Sequence, residues 1–182
     1  MTGGPGSGKT TQLEALEKLI ISQNLQQKWI MHPEVSRELQ EQTDPITKER
    51  IFNPATDPNT FTQAILRHRI QDYNNAIHNA INIYDRGLID SLAYCRAYEC
   101  QEQNQLIELC QANQYDLVLF FPFWEDIYVQ DAGRCENNQQ ALFISNKIKE
   151  TLNLLNINYK TVPTGSIEHR ADFLVSTIQG LL

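Results

Sequence analysis

The sequence predicts an α/β fold in which a parallel β-sheet is covered by helices on both faces. Short apolar segments typical of buried strands alternate with longer segments whose apolar residues recur at helical spacing. Polar residues also follow several predicted strands directly, at the sheet edge where open parallel sheets bind ligands. The 182 residues suffice for one core but not for two ordinary domains, so we expect a single domain over residues 1–182.

The elements follow from local patterns along the chain. The best strand, 116–121, is apolar on both faces, as a buried parallel strand should be. Further strands are predicted over 28–32, 80–84 and 159–162, and helices over 11–21, 35–42, 61–79, 91–111, 138–155 and 167–181. The Pro-rich segment of about 43–60 is predicted to be a mobile insertion, and about 123–137 a lid.

Composition narrows the possible functions. The net charge of −7 argues against binding to a nucleic acid polymer, which needs a broad basic surface. No apolar run reaches the length of a membrane span, and the N-terminus lacks a secretory signal pattern, so we expect a cytoplasmic protein. The four cysteines lack zinc-site spacing and are expected to be reduced structural thiols. The oligomeric state cannot be predicted.

A Gly-rich segment at the N-terminus carries the clearest functional signal. It fits the pattern G-x-x-x-x-G-K-[ST] and leads directly into the first predicted helix. Backbone N–H groups of such a loop surround phosphates, the lysine reaches the β- and γ-phosphates, and the hydroxyl that follows the lysine binds Mg²⁺. The residues predicted to bind a nucleoside triphosphate are Gly4, Gly6, Ser7, Gly8, Lys9, Thr10 and Thr11.

The position of this loop conflicts with a complete sheet. A phosphate-binding loop follows a buried strand, yet only Met1 and Thr2 precede Gly3. Such a strand is central in the sheet, and its loss would leave a gap between its neighbours. We therefore expect a first strand that is truncated by a shortened N-terminus.

Charged residues lie just beyond two predicted strands. Asp85 is placed to hold Mg²⁺ or to take a proton from a substrate hydroxyl, although it could also be a helix cap or an ordinary loop carboxylate. Arg86 beside it is a candidate for orienting a phosphate or the substrate. Glu34 and Arg37 could bind a hydroxylated substrate or equally form a surface ion pair.

The predicted lid holds one further candidate. Arg134 could approach the phosphates when the lid closes and neutralise charge that develops in the transition state. The alternative is an exposed arginine on a loop.

Four segments together resemble a known family: the phosphate-binding loop 3–11, the Glu-x-x-Arg run at 34–37, the Asp-Arg-Gly-x-x-Asp run at 85–90 and Asp131-x-x-Arg134. It is the small P-loop family labelled "predicted ATPase, AAA domain", which is similar to the ribosylnicotinamide kinase domain of bacterial NAD-metabolism regulators. The resemblance implies a three-layer P-loop NTPase fold, a five-stranded sheet in the order 2-3-1-4-5, and ATP or GTP with Mg²⁺. The Asp-Glu pair typical of ring-forming ATPases is missing, because Arg86 follows Asp85.

Two functions remain open. In a small-molecule kinase, Lys9, Mg²⁺ and Arg134 neutralise the transferred phosphate and Asp85 activates a hydroxyl of a nucleoside-like acceptor, held by Glu34, Arg37 and Arg86. In a nucleotide-dependent switch, ATP or GTP is hydrolysed slowly and Asp85 serves Mg²⁺ only. An ATPase that acts on a polymer is disfavoured by the acidic charge balance.

Overall fold

The computed structural model describes residues 1–22, 29–52, 56–128 and 137–181. In these ranges five strands alternate with seven helices. The strands are β1 (Thr2–Gly3), β2 (Trp29–His32), β3 (Ile81–Tyr84), β4 (Val118–Phe121) and β5 (Tyr159–Thr161). The helices are α1 (Lys9–Ser22), α2 (Ser36–Glu41), α3 (Pro58–Asn74), α4 (Leu88–Ala97), α5 (Gln103–Ala112), α6 (Asn138–Leu154) and α7 (Ile167–Gln179).

All strand pairs are parallel. β4 pairs with β1 on one side and with β5 on the other, while β2 pairs with β3. Two hydrogen bonds join these groups, since the Met1 ammonium donates to the Tyr84 carbonyl at 2.7 Å and the Arg86 N–H donates to the Met1 carbonyl at 2.9 Å. The strand order is therefore 2-3-1-4-5, and the predicted fold is confirmed.

Side chains of β4 alternate between two cores, as the two-residue period of a strand requires. Val118 and Phe120 pack in a cluster with residues of α4, α5 and α6. Leu119 and Phe121 pack in a second cluster with residues of α1 and α7. Helices thus cover both faces of the sheet, and the carboxyl ends of its strands are left for the site.

A cavity of about 820 Å³ continues the line of the two-residue strand β1. It lies between β3 and the chain entering β4, and its lining includes Met1, Asn82, Tyr84, Leu117 and Leu119. In a strand, the backbone N–H and C=O groups of every second residue point to the same side. Tyr84 and Arg86 form backbone hydrogen bonds with Met1, so the backbone groups of Asn82 also point to the side of β3 on which Met1 lies. The cavity therefore separates β3 from β4, and β1 bridges these two strands only at one end.

The predicted helix over 91–111 is wrong, because the structure divides it into α4 and α5. The chain turns after α4, where Glu99 has a left-handed φ of 55°.

The same turn brings two cysteines together. The Cys100 N–H donates to the Cys95 carbonyl at 2.9 Å, and the two Cα atoms lie 5.0 Å apart. A disulfide joins Cys95 to Cys100. The expectation of reduced thiols is therefore wrong for this pair. Of the other two cysteines, Cys110 is buried and forms no disulfide with another described residue, and Cys135 lies outside the described residues.

The predicted insertion is shorter than expected. Its described part contains an antiparallel bridge between Thr43 and Arg50, and a turn in which the Asp44 carboxylate accepts two backbone N–H bonds. Asp57 then caps α3 by accepting from the Thr60 N–H at 3.0 Å, so the helix begins at Pro58. Its mobility and the single-domain organisation stay predictions. None of the described helices is both long enough and apolar enough to cross a bilayer.

Candidate active site

The Gly-rich segment forms a loop between β1 and α1. Gly6 and Gly8 have φ values of 68° and 78°, in the left-handed region where glycine is favoured. The Ser7 hydroxyl closes the loop by donating to the Gly4 carbonyl at 2.9 Å, and α1 begins at Lys9. The loop thus presents backbone N–H groups at the positive end of a helix, where anions bind.

The Lys9 side chain lies within this loop and is only 5% exposed. Its ammonium donates to the carbonyls of Gly3 and Gly4, both at 2.9 Å, and to the Ser7 hydroxyl at 3.1 Å. Burial, helped by the nearby Arg86 charge, lowers the pKa of Lys9 to about 7, while the surrounding carboxylates act in the opposite direction. An anion in the loop favours the charged ammonium, so phosphate and Lys9 stabilise each other.

Asp85 stands beside the start of α1. Its N–H donates to the His32 carbonyl at 2.8 Å, so the residue extends β3 and its position is fixed by β2. Asp85 Oδ2 accepts from the Thr10 hydroxyl at 3.2 Å, and Oδ1 is buried without a hydrogen-bond partner among the described residues. A buried carboxylate that meets a hydroxyl and still has acceptor capacity offers the oxygen ligands that Mg²⁺ prefers. The donor set therefore fits the metal.

A network of buried charges adjoins Asp85. The Arg86 guanidinium pairs with Glu34, donates to the Gly3 carbonyl at 3.0 Å and reaches Asp90 Oδ1 at 3.3 Å. Asp90 also accepts from the Thr2 hydroxyl and from the Gly87 N–H at the start of α4. This arrangement explains the spacing of the Asp-Arg-Gly-x-x-Asp run, since its charged residues tie α4 and β1 to the end of β3.

Glu34 has a second cationic partner on α3. Its Oε1 lies 3.6 Å from Arg69 Nη2, and Arg69 also donates to the Ser91 hydroxyl at 2.7 Å. Burial raises the pKa of Glu34, but Arg86, Arg69 and Lys9 outweigh it, and the pKa is lowered overall. Glu34 is thus held as a carboxylate at the edge of the site.

Sequence comparison identifies the family. Residues 1–170 match the AAA domain family, which is nearly the whole chain. The chain belongs to this family. No curated protein matches the sequence significantly. The predicted recognition of a small P-loop family is therefore confirmed.

Comparison with solved structures confirms the kinase-like fold of this AAA domain protein. Deoxyadenosine kinase from M. mycoides with bound dATP is similar, with a TM-score of 0.64 and 13% identity over 97% of this chain and 96% of that chain. The same enzyme with products dCMP and a flexible dCDP bound gives a TM-score of 0.64 and 14% identity over 100% and 97% of the two chains. The predicted class, a nucleotide-binding P-loop phosphotransferase or NTPase, is confirmed at the level of family and fold.

The structure brings together many of the predicted site residues of this AAA domain protein. Lys9, Thr10, Asp85, Arg86 and Glu34 are linked through direct contacts or shared partners. Their roles towards ligands stay predictions. Arg86 is bound by protein partners on several sides, which favours a supporting role over contact with a substrate.

Three other predicted residues are less informative. Thr11 lies exposed in the first turn of α1. Arg37 lies in α2, and its side chain is not described. Arg134 and most of the predicted lid lie outside the described residues, so their roles stay predictions.

Sequence reasoning missed two arginines at the site, Arg69 and Arg170. Arg69 is 35 residues from Glu34 along the chain, and nothing in the sequence of α3 distinguishes it from its exposed neighbour Arg67. Arg170 follows the loop after β5 and donates to the Ser7 carbonyl at 3.2 Å. Only the tertiary fold brings these side chains to the site.

Proposed function

We propose that this protein is an Mg²⁺-dependent kinase that transfers the γ-phosphate of ATP or GTP to a hydroxyl of a nucleoside-like acceptor. One observation carries the proposal: the buried Asp85 carboxylate shares one oxygen with Thr10 and keeps the other unpartnered. A carboxylate so placed, at a strand end beside a phosphate-binding loop, can serve both the metal and an acceptor hydroxyl.

The two oxygens of Asp85 divide these tasks. Oδ2 and the Thr10 hydroxyl are the groups that would hold Mg²⁺, which neutralises phosphate charge when bound. Oδ1 is free to accept the proton of an acceptor hydroxyl. Lys9 supplies a fixed charge in the loop, and Arg134 is proposed to add a second when the lid closes. Phosphoryl transfer depends mainly on such positioning and charge.

The acceptor is proposed to bind on the side of Glu34. The ionised carboxylate of Glu34, held between Arg86 and Arg69, can accept hydrogen bonds from sugar hydroxyls. Arg86 is proposed to act by fixing Glu34, and Arg37 by contacting the acceptor. The fold shared with a deoxyadenosine kinase supports a nucleoside-like acceptor.

An acceptor screen by mass spectrometry tests this function. Wild-type protein with Mg²⁺ and either ATP or GTP is incubated with a panel of nucleosides, and we expect one nucleoside monophosphate together with ADP or GDP. Lys9→Met removes the ammonium in the loop and should abolish the product, whereas Lys149→Met on the exposed face of α6 should not. No product from any nucleoside with either donor would contradict the kinase proposal.

A nucleotide-dependent switch is the second candidate, and the Thr10–Asp85 hydrogen bond favours it, because this contact commits Asp85 to the metal side. Asp85→Asn separates the two. Loss of product with retained ATP binding fits the kinase, since the amide oxygen can still face Thr10 and the metal while the amide nitrogen cannot accept a proton. Loss of Mg²⁺-dependent ATP binding fits the switch.

A further inference from the structure

Arg170 lies beside the phosphate-binding loop and forms no ion pair with an acidic residue among those that the structure describes. It is one turn into α7, and its side chain is only 5% exposed. Its guanidinium lies over the Phe121 ring, 5.1 Å from the centroid, and over the Trp124 ring at 5.6 Å. Nη2 donates to the Ser7 carbonyl at 3.2 Å, and Nε is buried with no hydrogen-bond partner in the described part of the chain.

The charge of Arg170 is not balanced by the part of the protein that the structure describes. Arg86 is surrounded by Glu34 and Asp90, but no carboxylate in the described ranges forms an ion pair with Arg170. Burial lowers the pKa of Arg170. A buried cation without a counter-charge is costly, and aromatic rings compensate only part of that cost. An anion bound in the loop would supply the counter-charge that the described residues lack.

The contact with Ser7 shows how Arg170 can act on a ligand. In a planar trans peptide the carbonyl and the following N–H point in opposite directions. Because Arg170 binds the Ser7 carbonyl from outside the loop, the Gly8 N–H is directed to the inner side. The approach is close, since a Cβ on Gly8 would lie 2.9 Å from Arg170 Nη1. A cation on the carbonyl also polarises this peptide and strengthens its N–H as a donor.

We propose that Arg170 is a positioning residue of the phosphate site, whose counter-charge is the polyphosphate of the bound nucleotide. It orients and polarises the Ser7–Gly8 peptide and contributes a fixed positive charge behind the loop. This inference rests on the proposed nucleotide site but not on the identity of the acceptor.

The test uses inorganic tripolyphosphate, which has the charge of the nucleotide but neither base nor sugar. The melting temperature and the Kd for tripolyphosphate are measured for wild type, Arg170→Met, Arg170→Lys and the control Arg67→Met on the exposed face of α3. We expect Arg170→Met to weaken binding by about tenfold or more, since the fixed positive charge and its hold on the Ser7–Gly8 peptide are both lost. Without ligand its melting temperature should not fall, because an unpaired buried charge has gone. Arg170→Lys should retain part of the affinity, and Arg67→Met all of it.

Two results would overturn the inference. If Arg170 only supports the loop, Arg170→Met will lower the melting temperature without ligand and leave the Kd of the folded protein unchanged. Equal Kd values for wild type and both Arg170 variants likewise remove its role in phosphate binding. If wild-type protein binds neither tripolyphosphate nor ATP, the phosphate site itself is wrong and the proposed function fails with it.

Discussion

Replacing Arg86 with Met should destabilise the protein strongly, because Arg86 neutralises two carboxylates at once. Its side chain is 10% exposed, that of Asp90 1% and that of Glu34 21%. Removal of one partner from a buried ion pair costs about 3–5 kcal/mol, since the other charge is left uncompensated. Glu34 keeps Arg69 as a partner, so we expect the lower end, about 3 kcal/mol. For a chain of this size that lowers Tm by roughly 6–12 °C.

The assay is thermal and urea unfolding followed by circular dichroism. Arg67→Met is the matched control, because Arg67 is exposed, and its effect should stay within about 0.5 kcal/mol. Adding Asp90→Asn to Arg86→Met should recover part of the stability, since the buried charge is gone. The amide oxygen can still accept from the Gly87 N–H, and the amide N–H can donate to the Thr2 hydroxyl.

The opposite outcome would support the role that the sequence predicts for Arg86, which is to orient a phosphate or the substrate. If Arg86→Met unfolds like wild type and instead raises KM for the acceptor, the guanidinium contacts the substrate and our explanation of the network is wrong. Failure of Asp90→Asn to recover any stability would also count against it.

Three more predictions follow from other parts of the structure. Lys9→Met should abolish the rise in Tm that saturating MgATP or MgGTP produces, and an equal rise in both proteins would contradict a phosphate contact. Cys95→Ser should lower the free energy of unfolding by about 2 kcal/mol without reductant and much less with it, because the Cys95–Cys100 disulfide closes a short loop. Equal losses of stability with and without reductant would mean that the pair is not oxidised. About four apolar residues fused before Met1 should enter the cavity beside β3 and raise Tm by at least about 4 °C, and an equal Tm for a Gly-Ser fusion would show that no strand binds there.

Local patterns in the sequence were enough to predict the strands and the loop. Val118–Phe121 was found because a strand buried on both faces must be apolar throughout, and the Gly-rich loop because phosphate binding requires its spacing. The break between α4 and α5 was missed, since helical periodicity continues across it. The break depends on the left-handed conformation of Glu99 and on the disulfide between Cys95 and Cys100, and no local sequence pattern predicts either.

The charged residues of the site show the same limit. Asp85 was predicted because it ends a strand beside the loop, and strand ends meet at one sheet edge. The partners of Glu34 could not be predicted, because Arg69 and Arg86 are distant from it in the sequence and only the folded chain brings them to it. Arg170 carried no signal, since its importance arises from the contact of α7 with Ser7.

Transfer of labelled γ-phosphate is the most direct test of the kinase function. Wild-type protein is incubated with Mg²⁺, γ-labelled ATP or GTP and the nucleoside panel, and the labelled products are separated. The proposal predicts label on the hydroxyl of one nucleoside, and its loss in Asp85→Asn protein that still binds the nucleotide. Label found only in inorganic phosphate, at the same rate with and without nucleosides, would contradict a kinase and leave a slow NTPase.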